Sequence, residues 1–270
     1  MATLRITIDI FSGRPNPVIE LSGSQARQVL ARLRSAKRER EGPPIPILGY
    51  RGLLIERPGR RQPLRTVDPA IEDFVAGNEP LLRRLALGRT FPSVLREEMD
   101  RFRDLRARWR TRRHHWPNRE RCRCAPLYEP TWWNDAGQKQ FGNNCYNYAC
   151  DYRTDTFAQP GRAAGAMYTA LSCASVQPAA VADCLIASPA ANNRCPKEGH
   201  LVALVIAPGI DFHWYRKGRN GYWNHKPGST PAVNVDNSGH LIPDPRTANR
   251  GMYTQFCTFM TVMHGHIKIN

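Results

Sequence analysis

GNNCYNYACDYR, residues 142–153, is the stretch on which the reading of the fold turns. Asn143 and Asn144 are good helix-capping residues, because an asparagine side-chain oxygen accepts from the orphan N–H groups of a first turn. After them the pattern becomes helical, so Cys145 falls in the first turn. There the unpaired N–H groups and the helix dipole lower a thiol's pKa, and a thiolate near neutral pH is a potent nucleophile. Cys150, five residues on, falls inside the helix and is expected to pack in the core.

Working downstream, Glu198 to Ile206 (EGHLVALVI) reads as a buried strand entered through a glycine. Pro208-Gly209 turns the chain, and Asp211 to Lys217 (DFHWYRK) is a second strand. Gly218 to Gly221 makes a hairpin turn, and Tyr222 to His225 (YWNH) is a third strand closed by Lys226-Pro227-Gly228. The order is a cysteine helix followed by an antiparallel sheet that bears His213, with His225 across one hairpin. A Cys–His dyad with an orienting third group needs this arrangement: the imidazole takes the thiol proton, and a polar neighbour at its Nδ1 fixes the tautomer. Strand parity sends Asn224 and His225 to opposite faces, so only one of them can meet His213. Asp236, in VNVDNSG, is a further candidate orienter, although it and Asp244 sit among turn residues.

The run NNCYNYA resembles the nucleophile helix of papain-like peptidases of the NlpC and CHAP types (the latter are cysteine, histidine-dependent amidohydrolase/peptidase domains). Asn144, Cys145, Tyr148 and Ala149 match the CHAP-type Asn/Gln-Cys-x-x-Tyr-Ala run. Gly199-His200-Leu201-Val202 is similar to the Gly-Asp-Leu-Val entry of their central strand, with His200 in place of the acidic residue. His213-Trp214-Tyr215 followed by His225 resembles the NlpC pattern. The resemblance covers about residues 142–250 and none of the first 125. It implies a papain-like α+β fold, with a helix packed on an antiparallel sheet, and a cysteine hydrolase (peptidase or amidase) that needs no metal or cofactor. Cys145 would attack the carbonyl. His213 would act as base and then acid, and His225 would orient it, with Asn224 as runner-up. The Cys145 N–H would give one oxyanion donor, and Gln140, Gln138 or Tyr128 the other. The implied substrate is a peptide or peptidoglycan-like bond. The same residues also suit acyl transfer to an amine or lipid.

Upstream the texture changes. Leu4 to Phe11 alternates at period two and reads as a strand; SGRPNP at 12–17 is a turn cluster, and Val18 to Leu21 a short return strand. A helix follows from Ser22 or Ser24, then a strand at Tyr50 to Glu56. Asp68 caps a further helix running to Leu87, with Pro69 at its first position. These make a small α+β module of unknown role over residues 1–88. Residues 89–125 read as a basic helical linker, and residues 126–270 as the catalytic domain. His114, His115, Cys122 and Cys124 are zinc-ligand types, but their spacing fits no standard finger, and the stretch reads as a loop joining two domains.

The chain has 270 residues and a formal net charge of +16. Residues 1–125 hold 27 Lys and Arg against 14 Asp and Glu, and residues 126–270 hold 12 against 9. The densest run, Arg101 to Arg123, is a solvated helix face or a contact for an anionic partner such as nucleic acid, wall polymer or lipid headgroup. A non-catalytic protein that uses this basic half to hold an anionic polymer is the reading from a different class. No apolar run reaches the ~20 residues of a membrane-spanning helix, and the first residues lack signal-peptide order. The chain is therefore expected to be made in a cytoplasm, with any export by a non-classical route. A disulfide scaffold is not expected. An oxidising compartment would allow one or two bridges among Cys173, Cys184 and Cys195.

Overall fold

In a computed structural model of the chain, residues 3–35, 45–57, 59, 60, 62–108, 121–188 and 192–270 are described. They form two compact units, each α+β with an antiparallel sheet. The first comprises residues 1–10, 16–45 and 49–106; the second comprises 11–15, 46–48 and 107–270. Division along the chain is therefore not a simple cut, and Phe11–Pro15 belongs to the second unit.

The first unit's elements are β1 (Leu4–Ile8), β2 (Val18–Leu21), α1 (Gly23–Ser35), β3 (Leu53–Glu56), β4 (Leu64–Thr66), α2 (Pro69–Gly77), α3 (Glu79–Arg83) and α4 (Phe91–Arg108). Its strands lie in the order β2-β1-β3-β4. Ile6 pairs with Ile19 on one side and Ile55 on the other, so the alternation of LRITI buries Leu4, Ile6 and Ile8 and leaves Arg5 outside. Asp68 caps α2 as expected, accepting from the Ala70 and Ile71 amides. That helix stops at Gly77, because Asn78 breaks the helical backbone, caps a new turn by accepting from Leu81 N, and is followed by Pro80. Just past β1 and just before β3, Asp9 and Arg51 form a fully buried ion pair at 2.6 Å, joined by Arg65 at 2.8 Å. Burial pushes Asp9 up, but the two guanidiniums outweigh it and hold the carboxyl at about 2.

The segment expected to be a linker differs most. Phe91, Leu95, Met99 and Phe102 recur at helical spacing along α4, and all four are buried; Phe102 packs edge-on against Tyr50. Each such side chain contributes about 1.5–3 kcal/mol on leaving water, which makes α4 a core helix of the first unit. Its arginines lie on the other side and are partly neutralised. Arg103 reaches Glu72 at 3.0 Å, Asp73 at 2.8 Å and Asp100 at 3.1 Å, and Arg101 pairs with Glu98. Residues 109–120, with most of the remaining arginine run, lie outside the described residues.

The second unit carries α5 (Pro130–Trp133), α6 (Gln138–Gly142), α7 (Cys145–Cys150), α8 (Cys173–Ala182), β5 (Ile186–Ala187), β6 (His200–Ala207), β7 (Asp211–Lys217), β8 (Trp223–His225) and β9 (Gln255–Val262). The sheet order is β5-β9-β6-β7-β8. The sequence reading finds β6, β7 and β8 but not β9, which pairs with β6 from His200–Val262 to Ile206–Gln255 and makes β6 a central strand. Hence β6 is buried along its whole length rather than on one face. Val202, Leu204, Ile206, Phe212, Trp214 and Met260 form one core with Cys145, Tyr146, Ala149 and Cys150 of α7. Two disulfides, Cys122–Cys195 and Cys173–Cys257, fasten this unit. They correct the expectation of bridges drawn only from Cys173, Cys184 and Cys195: Cys184 is free, and the partners come from 73 and 84 residues away.

Candidate functional site

Asn144 caps α7 from both sides of a capping box. Its side-chain oxygen accepts from the Tyr146 and Asn147 amides, while Asn147 Oδ1 accepts from the Asn144 amide at 3.0 Å. Cys145 N–H is left over by this cap, and it donates to the carbonyl oxygen of Ser12 at 3.4 Å.

The strand edge explains where the sulfur lies. β8 pairs with β7 only over Tyr215–Lys217, so the same side of β7 is unpaired from Asp211 to Trp214. Cys145 Sγ docks on that edge, 4.0 Å from the Phe212 carbonyl oxygen and accepting from the Trp214 amide. It thus brackets residue 213. Burial raises the Cys145 thiol strongly and the Asp211 carboxylate adds to this; the Trp214 amide, the Ser12 hydroxyl and the buried Lys226 ammonium pull the other way. Lys226 itself holds three carbonyls, those of Gln140, Asn143 and Gly228, at 2.5, 2.5 and 2.6 Å.

His213 takes part in a directed chain. Its Nε2 lies 2.9 Å from His225 Nδ1, and His225 Nε2 lies 2.9 Å from the Val235 carbonyl oxygen. A carbonyl only accepts, so His225 Nε2 carries the proton and neutral His225 accepts at Nδ1. His213 therefore donates from Nε2 and accepts at Nδ1, where the Ser12 hydroxyl sits at 2.9 Å. His225 and His213 are both buried, and burial brings His225 down to about 4, with the Val235 carbonyl partly offsetting it.

Of the expected site residues, His213 and His225 meet directly, whereas Cys145 packs with Phe212 and Trp214, the strand neighbours of His213, and is linked to His213 through the Ser12 hydroxyl, which bonds both. The orienting contact is on Nε2 rather than the expected Nδ1, which leaves Nδ1 for the Ser12 side. Asn224 points away, as parity requires: its Oδ1 accepts from Tyr148 Oη at 2.7 Å and Arg216 Nε at 3.4 Å. Asp236 is a turn clamp, accepting from the Ser238, His240 and Asn249 amides. Gln140 accepts from Ala136 N and donates to Ser229 O, and Tyr128 donates to Ala232 O, so both stitch loops together. His200 Nε2 donates to the Ala149 carbonyl at 2.7 Å and takes no part in the His213 chain. Cys122 is consumed by a disulfide and cannot ligate zinc; His114 and His115 lie outside the described residues, and no group of three or more metal-ligating side chains occurs among the described ones.

Sequence reasoning missed Ser12, Asp211 and Tyr253. Asp211 Oδ2 accepts from Ser12 N at 2.7 Å and Gly13 N at 3.2 Å, its Oδ1 accepts from Arg14 N at 3.1 Å, and Tyr253 Oη donates to it at 2.5 Å. Ser12 Oγ also lies 2.8 Å from Tyr253 Oη. Ser12 sits in a turn-like cluster about 200 residues before its partners, and no local signal links them.

Fold and site together define an α+β protein whose second unit links a capped-helix thiol through the Ser12 hydroxyl to a two-histidine relay. No protein-family profile and no solved structure matches the chain. Insoluble matrix shell protein 1 of Ruditapes philippinarum is 46% identical over 142 residues, which make up 52% of this chain and 91% of that protein. The chain belongs to the family of that shell protein.

Proposed function

We propose that the second unit is a papain-like thiol hydrolase of the NlpC/CHAP type acting on amide bonds. The observation that carries this reading is the relay from Val235 through His225 to His213, which leaves His213 Nδ1 unprotonated toward the Ser12 hydroxyl, and that hydroxyl also bonds Cys145 Sγ. In the reaction His213 Nδ1 takes the Cys145 proton and Sγ bonds to the carbonyl carbon. The oxyanion is met by the Cys145 N–H, the group that now holds a carbonyl oxygen. The C–N bond then breaks as His213 returns the proton to the leaving amine. Water, deprotonated by His213, hydrolyses the thioester and restores the thiol. Lys226 and the Trp214 amide favour the thiolate once the sulfur is out of its dry setting.

A second reading is favoured by the relative's name. The same thioester passed to an amine instead of water joins chains by amide bonds, and such cross-links make a matrix insoluble. The two disulfides, together with a relative whose name places it in a shell matrix, support an oxidising place of work rather than the expected cytoplasm. No helix among the described residues is long and apolar enough to cross a membrane.

The test is mass spectrometry of peptide mixtures, with and without a primary amine such as cadaverine, incubated with the full chain and with Cys145→Ala. New peptide termini made only by the unaltered chain are expected, and mass additions of the amine would select transfer. Equal cleavage by Cys145→Ala overturns both.

A further inference from the structure

Phe11–Pro15 runs through the second unit as a bent peptide, with bends at Ser12, Gly13 and Arg14, and its main chain is held group by group. The Ser12, Gly13 and Arg14 amides all point at the Asp211 carboxylate. The Ser12 carbonyl oxygen is on the Cys145 amide. The Gly13 carbonyl oxygen accepts from Asn144 Nδ2 at 2.7 Å and Gln159 Nε2 at 2.8 Å. Side chains are fitted as well: Phe11 is buried under the Arg14 guanidinium, 5.3 Å from its ring centroid, and Arg14 Nη1 donates to Ile210 O at 2.8 Å. At Gly13 there is no room for more than hydrogen. A Cβ there would fall 2.5 Å from a Phe212 ring carbon and 2.6 Å from the Phe212 carbonyl oxygen.

A peptide backbone laid over a thiol, with one carbonyl on the thiol residue's own N–H, is in the position of a substrate. Two features stop it from reacting. The Ser12 hydroxyl occupies His213 Nδ1, the nitrogen that must take the Cys145 proton, and the sulfur is completely shielded from solvent.

We propose that Phe11–Pro15 is a built-in pseudosubstrate: it fills the substrate path of the Cys145 site with the Ser12–Gly13 peptide at the place of attack, keeps the site latent, and marks its substrates as peptides with glycine directly after the attacked bond and a cationic residue next. This rests on the thiol-hydrolase reading. Glycine is selected by the Phe212 wall, and the cation by the Ile210 carbonyl. Latency follows because only the fraction of molecules with the segment withdrawn is competent to bind.

The test compares the full chain with Gly13→Val, in which the added side chain meets the Phe212 backbone. Iodoacetamide labelling of Cys145, read by peptide mass spectrometry, is expected to be at least about tenfold faster in the variant, with Cys150 unchanged as the internal reference. An excess of the synthetic peptide Phe-Ser-Gly-Arg-Pro, capped at both ends, is expected to restore protection. Folded Gly13→Val that labels no faster, or labels faster without protection by the peptide, overturns the proposal. Should Gly13→Val not fold, hydrogen exchange on the unaltered chain decides. The Cys145, Gly13 and Arg14 amides are expected to share one opening constant; a Cys145 amide that stays protected while the other two exchange freely overturns it. Fast, peptide-protected labelling of Gly13→Val with no cleavage of glycine-containing peptides removes the hydrolase reading and with it the substrate assignment, but leaves the occupancy standing.

Discussion

His213 and His225 face each other across the β7–β8 pair with Nε2 and Nδ1 2.9 Å apart, and the Val235 carbonyl at the far nitrogen fixes which ring donates. The pair is thus a one-way proton arrangement, in which His225 sets the tautomer of His213 without itself meeting the sulfur. Replacing His225 with alanine is expected to lower kcat about 10²-fold with KM little changed, while His225→Gln, whose side-chain oxygen can still accept from His213 Nε2, recovers part of the loss. Asn224→Ala removes a bond to Tyr148 and is expected to cost about 1 kcal/mol of stability without moving the pH profile of turnover. Steady-state kinetics against pH on Gly13→Val carrying each change is the check. A kcat unchanged by His225→Ala defeats the orienting role.

His200 is the second histidine that burial keeps neutral, brought down to about 3, with its bond to the Ala149 carbonyl only partly compensating. The unfolded chain binds its proton near 6.5, so between pH 6.5 and about 3 the unfolded state holds more protons than the folded one. Stability contributed by this site is full above 6.5 and is lost as pH falls through that window, on the order of 5 kcal/mol in all. Urea unfolding at pH 7, 5.5 and 4 is expected to show a steeper acid loss for the unaltered chain than for His200→Gln. Equal slopes would show that the imidazole is not buried neutral.

The two disulfides close loops of 73 and 84 residues. Chain-entropy reasoning gives each about 4 kcal/mol of stabilisation through the unfolded state. Reduction, or Cys173→Ser with Cys257→Ser, is expected to lower Tm by well over 5 °C, and non-reducing peptide mapping is expected to recover both linked pairs. Recovery of a Cys184 bridge instead would contradict the pairing.

Local patterns carried much of this architecture. Alternation in LRITI, the Asp68-Pro69 cap and the Asn144-Cys145 helix start are short-range signals, and each element sits where its residues place it. His213 and His225 were legible because a hairpin of known register lies between them, and Tyr215 pairs with His225 as that register requires. What escaped depends on distant chain. QFCTFMTV gains its meaning only when β6 needs a second neighbour. The arginine-rich stretch from Phe91 reads as polar until the spacing of Phe91, Leu95, Met99 and Phe102 is set against a sheet that wants covering. The SGRPNP cluster reads as a turn and the chain does bend at Ser12, Gly13 and Arg14, but nothing local shows that Ser12 and Gly13 spend their backbone groups on Asp211, Asn144 and Gln159.

Asp211 is the anchor that can be altered without replacing the sulfur or the imidazole, and because its charge also raises the Cys145 thiol, exchange of the Arg14 amide is what separates release of the segment from a direct effect on the sulfur. Burial raises its carboxyl above the usual range, against the pull of Tyr253 and of the Ser12 and Gly13 amides. Both of its oxygens accept from backbone N–H groups, so Asp211→Asn sets an amide N–H against at least one of those donors, an N–H facing an N–H. A loss of about 1–3 kcal/mol in holding the segment is expected, which corresponds to a roughly 5- to 150-fold larger open population. Cys145 labelling and exchange of the Arg14 amide are expected to rise together by that factor in Asp211→Asn, whereas Asp236→Asn, whose carboxylate clamps a turn elsewhere in the second unit, leaves both unchanged. If Arg14 exchange rises while Cys145 labelling does not, Asp211 holds the loop but the loop does not guard the thiol.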